Sequence, residues 1–197
     1  MQLRLSEKHA SRAAELPWRV TEAMRGDSRP SPRLRNLAPT GAAPLPHTDA
    51  ELERLLTMVR QGLRNGRTVS IGHSRDATSV AAADAFAAAW RERGFHVSAV
   101  VDWPEDAASW LRQARRLTAG APDAWVIAAG VEGFVQLSRR LVHSTDWTAR
   151  RTFAFGSLAE PRCGVLAGAE VLDGLRGATR DGKGWEVCGG EIVLGAD

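Results

Sequence analysis

The 197-residue chain reads as an α/β protein built on a doubly wound parallel sheet, and three observations lead there. From Thr68 onward, apolar runs of strand length alternate with segments of helical period in the order β-α-β-α-β-α-β. The connections are short, so each helix must cross back over the sheet, which forces parallel pairing with right-handed crossovers. A content of 44% hydrophobic and 25% charged residues suits one well-buried domain.

Residues 6–25 have partly helical spacing interrupted by Pro17, and residues 26–46 hold five prolines and no apolar face. The expected organisation is therefore an N-terminal arm and Pro-rich linker over 1–46 and an α/β domain over 47–197. Thr48 opens the domain as an N-cap, with Asp49 and Glu51 in the first turn and Leu52, Leu55, Leu56, Val59 and Leu63 on one face. Asn65-Gly66 ends that helix. Strands follow at 68–72, 96–103, 124–129 and 152–156, and helices at 78–93, 104–119 and 131–143. Beyond Gly164 the pattern loosens into a short helix around 169–176, Gly-rich turns and one or two late strands.

Several function classes are disfavoured at this level. Net charge is +3, but residues 1–46 carry eight Lys/Arg against four Asp/Glu, so the domain itself is near neutral and lacks the basic footprint of a nucleic-acid binder. The seven tryptophans fall mostly on core-facing positions, which points to packing. Cys163 and Cys188 have no CxxC spacing and no paired histidines nearby, so they read as two buried free thiols, with no metal site and no cofactor expected. No apolar run reaches the length of a signal peptide or membrane span, so the chain as written is expected in the cytoplasm, or outside it if its start is truncated.

"TVSIGHSRDATSVAAADAF" carries the sharpest motif. Its GHSRD is one residue from the G-x-S-x-G nucleophile elbow, with Asp76 in place of the second glycine. A serine hydrolase using Ser74 with His143 is the rival reading, although His143 falls at a helix end and too few strands precede the motif. In open parallel sheets ligands sit beyond the carboxyl ends of the strands. There Ser74, Thr78 and Ser79 beside a helix N-terminus can meet a carboxylate or phosphate, or Asp76 or Thr78 simply caps that helix.

"GRTVSIGHSRDATSVAAADAFAAAW", the strand "GAPDAWVIAAG", the strand "TFAFGS" and the closing "GAEVLDGLRGATRDGKGWEV" together resemble the second lobe of extracellular ligand-binding receptors of the branched-chain amino acid type, the type I periplasmic-binding-protein fold. The resemblance implies a single lobe without its first lobe, as in a truncated substrate-binding protein of an ABC transporter. It implies non-enzymatic binding of an amino-acid-like solute, with Ser74, Asp76, Thr78, Gly130 and Glu132 facing the ligand, and a small molecule or a missing lobe as partner. The first strand, loop and helix are also similar to phosphosugar-binding domains of the sugar-isomerase type.

Overall fold

The computed structural model describes residues 43–63, 66 and 68–195; most of the expected arm and linker lies outside the described residues. The domain opens with α1 (Asp49–Gly62), whose N-terminus is capped as the sequence requires, the Thr48 hydroxyl accepting the Glu51 N–H at 3.2 Å. Then follow β1 (Thr68–Ser74), α2 (Ala77–Glu92), β2 (His96–Trp103), α3 (Leu111–Thr118), β3 (Ala124–Ala128), α4 (Val131–Ser144), β4 (Thr152–Ala154) and α5 (Pro161–Ala167). Three late strands, β5 (Arg176–Ala178), β6 (Gly184–Cys188) and β7 (Glu191–Leu194), complete a seven-stranded sheet in the order β2-β1-β3-β4-β5-β6-β7.

The sheet is α/β but mixed. Strands β1 to β5 pair in parallel, while β6 and β7 add an antiparallel hairpin at one edge. Because β1 sends one connection outward to β2 and the chain then returns to β3 on its other side, the topological switch lies between β1 and β3.

Both faces are covered, and β3 shows how. Its five residues are all buried. Trp125 and Ile127 join a core containing Phe134, Leu137 and Leu141 of α4 and Leu117 of α3, while Ala124, Val126 and Ala128 join a second core with Leu55 and Val59 of α1 and Phe86 and Trp90 of α2. A strand buried on both faces reads as an unbroken apolar run, which is how AWVIA appears in the sequence. The six tryptophans among the described residues are all buried, as packing requires.

Four local expectations are corrected. The helix expected over 104–119 begins only at Leu111. Residues 104–110 instead run irregularly, with Trp110 buried in the core and Glu105 reaching the start of α4. The helix expected around 169–176 is absent, because α5 has already ended at Gly168, whose φ of +99° stops it, and turns lead directly into β5. The fourth strand stops at Ala154, and a single 3-10 turn over Gly156–Leu158 takes its place. Of the two thiols only Cys163 is buried, and burial pushes it up to about 12; Cys188 sits on an outward position of β6 and is exposed.

Candidate functional site

The loops at the carboxyl ends of β1, β2 and β3 are tied together by one hydrogen-bond network. Ser74, the last residue of β1, has no solvent exposure. Its hydroxyl donates to Glu105 Oε1 and accepts the Gly130 N–H at 3.1 Å, and the other carboxylate oxygen, Oε2, accepts the Gly133 N–H at 2.6 Å. Glu105 thus places a carboxylate on the first turn of α4, where the helix dipole favours it. Gly72, the glycine of G-H-S, has its own packing reason. A Cβ there would stand 2.6 Å from the Trp103 ring.

His143 is not brought to Ser74. It is exposed on the last turn of α4, twelve residues and about 18 Å along the helix from the end that meets Ser74. Asp102, on β2, is engaged by Arg75 at 2.6 Å, and that guanidinium holds its carboxyl below the usual carboxylate range. The hydrolase alternative is therefore not favoured. Asp76 caps α2 by accepting the Ser79 N–H at 2.9 Å.

The other expected residues meet at a pocket of about 430 Å³. Thr78 contributes from α2, and Gly130 and Glu132 from the start of α4; Ser74 and Asp76 do not line it. Glu132 is buried and ion-paired to Arg162 of α5 at 2.6 Å, and Arg162 also reaches Glu160 at 3.4 Å. Ala82, Ala128, Val131 and Phe155 give the pocket its apolar wall, and the extended segment before α1 supplies Leu45 and His47, the latter edge-on to Phe155.

One lining residue, Glu51, was not legible as a site residue by motif. Glu51 sits three positions after the cap Thr48, a spacing that reads as a capping box. Its side chain stays beside the Thr48 N–H but also turns inward, is 2% exposed, and accepts the Gly156 N–H through Oε1 at 2.6 Å. Its Oε2 takes no hydrogen bond, and neither does the buried hydroxyl of Ser79 across α2. Burial raises the Glu51 pKa, opposed by the Gly156 and Thr48 N–H groups and by the charges of His47 and Arg180. Because the folded-state pKa lies above the unfolded one, this carboxyl costs nothing below the unfolded value and progressively destabilises the fold as pH rises through the folded one. Glu51→Gln is therefore expected to gain stability relative to the parent on going from pH 4 to pH 8 in urea melts; a pH-independent difference would contradict a buried ionising carboxyl.

Among the described residues no group of three His, Cys, Asp or Glu side chains is placed to hold a metal ion, and no helix is long and apolar enough to cross a membrane.

No protein-family model matches the chain, and no curated protein does. Solved structures do. The chain is similar to an extracellular ligand-binding receptor from Rhodopseudomonas palustris HaA2, with a TM-score of 0.56 and 20% identity over 66% of this chain and 35% of that one. A type 1 periplasmic binding protein from Bordetella pertussis Tohama I matches with a TM-score of 0.55 and 19% identity, covering 66% and 34%. A leucine-binding protein from Thermotoga maritima MSB8 matches with a TM-score of 0.54 and 18% identity, covering 64% and 36%. The chain has the fold of part of these receptors and spans about a third of their length.

Proposed function

We propose that this chain is a non-enzymatic binding domain for a small, amino-acid-like solute, and that the pocket between the start of α2, the start of α4 and the segment after β4 is where the solute sits. The observation that carries the reading is the pocket itself. It lies at the carboxyl ends of parallel strands beside the switch point, has the volume of a small-solute site, and pairs an apolar wall with a few buried polar groups. Thr78, Gly130 and Glu132 are assigned to its wall, and Ser74 and Asp76 to the framework that shapes it. The likeness to receptors named for amino acids or extracellular ligands supports the same choice, and their names support an extracytoplasmic place of work, in preference to the cytoplasm.

The expected arm and linker over residues 1–46 is proposed to lie outside this domain except at its end, where Ala43, Pro44 and Leu45 line the pocket, and a second lobe is proposed as the partner that would close over that pocket. One lobe alone removes only part of a ligand from water, so affinity is expected on the order of millimolar. Calorimetric titration of the full chain with neutral amino acids, sugars and carboxylic acids tests it. Saturable binding by at least one class is the expected result; linear heats of dilution across the whole panel would remove the binding function.

A further inference from the structure

The backbone donors at the strand ends are largely occupied by the protein's own acids. Asp76 takes the Ser79 N–H of α2, Glu105 takes the Gly133 N–H of α4, Ser74 takes the Gly130 N–H, and Glu51 takes the Gly156 N–H. Arg162 is engaged by Glu132 and Glu160. A ligand carboxylate entering this pocket would meet three carboxylates, Glu51, Glu132 and Glu160, and would find its remaining cation in Arg180, an exposed residue where water screens the pair.

Two acceptors of the pocket wall are without a donor. Glu51 Oε2 and Ser79 Oγ are both buried without a hydrogen-bond partner, their residues are each 2% exposed, and both residues line the pocket. Of the buried side-chain atoms without a hydrogen-bond partner among the described residues, these two belong to residues that line the pocket, and such atoms call for a missing group. An ammonium has only donors to offer, so it can serve a carboxylate oxygen and a hydroxyl oxygen at once, and it adds a positive charge beside Glu51. The neighbouring wall of Ala82, Ala128, Val131 and Phe155 suits a short hydrocarbon body.

We infer that the pocket selects a small primary amine with an apolar body, its ammonium held between Glu51 and Ser79, and that a carboxylate on the ligand is dispensable. This rests on the proposed reading of the pocket as a solute site and names the chemical group that it recognises. An amino acid would bind through its amine, with Arg180 adding little.

The test compares three solutes of one skeleton on the full chain at fixed ionic strength: 3-methylbutylamine, leucine and 4-methylpentanoate. The amine and leucine are expected to bind within about fivefold of each other, because an exposed ion pair contributes little. The acid is expected to bind at least about tenfold more weakly, and Glu51→Gln to weaken the amine by about tenfold or more. Glutamine keeps an acceptor for the Gly156 N–H, and Ser79→Ala provides a second variant, expected to weaken the amine by about threefold to tenfold. Cooperative melting of both variants shows that the fold is kept. Equal affinity for amine and acid, or amine binding untouched by Glu51→Gln, would overturn the inference while leaving solute binding intact. No binding of these three or of the wider panel would remove both.

Discussion

Glu105→Ala is expected to lower stability by about 2–4 kcal/mol, a large effect for a residue that is only partly buried. The substitution removes the acceptor of the Ser74 hydroxyl and of the Gly133 N–H together, and both of those residues are buried. It also removes the carboxylate from the first turn of α4. Glu105→Gln keeps the shape and one acceptor, and its loss should be about half as large. Urea melts of the two variants check this. A Glu105→Ala chain within about 0.5 kcal/mol of the parent, the range of an ordinary surface change, would mean that the network linking the three loops does not hold them.

Gly177→Ala is expected to be more damaging still. Gly177 pairs with Ala154 across the β4–β5 ladder, and a Cβ there would stand 1.9 Å from the Ala154 carbonyl oxygen and 2.8 Å from the Trp185 ring. Neither neighbour is a flexible side-chain end, so the strands must separate or the ladder must shift. The cost is expected at about 3 kcal/mol or more, the upper end of overpacking. Gly94→Ala is the control: Gly94 has a φ of +79° but nothing within 4 Å, so the change should cost only about 1 kcal/mol of backbone strain. If the two substitutions cost the same, close approach at the β4–β5 seam is not what the glycine is there for.

The fold was legible because its signals are local. Alternation of strand and helix, the Thr48 cap, and the apolar run of β3 each lie within one element, and each predicts that element correctly. The antiparallel hairpin β6–β7 was only half visible, since Gly-rich turns mark chain reversals without saying which strand pairs with which. The pocket was harder to read for the same reason. Thr78, Gly130 and Glu132 lie at helix starts just beyond the strand ends that the switch-point rule selects, but Glu51 lies on the first helix, Phe155 and Gly156 follow β4, and Arg180 follows β5. Only the folded sheet brings them together. Glu51 carried an incomplete local signal, since its spacing from Thr48 marks a helix cap and says nothing of the Gly156 N–H that its carboxylate also takes. Glu105 fell in a segment whose acidic start suggested a helix N-terminus, and its true partners are 28 and 31 residues away. Ser74 shows the converse. The motif suggested a nucleophile, whereas its tertiary partners make it a buried tie between loops.

Solute binding at the α2–α4 pocket is tested most directly by amide chemical shifts of the isotope-labelled full chain during titration with leucine and 3-methylbutylamine. The expected result is a saturable, concerted shift of Thr78, Ser79, Gly130, Glu132 and Gly156, with the edge strands β2 and β7 unmoved. Shifts confined to residues 1–42, or scattered over the surface without saturation, would contradict it.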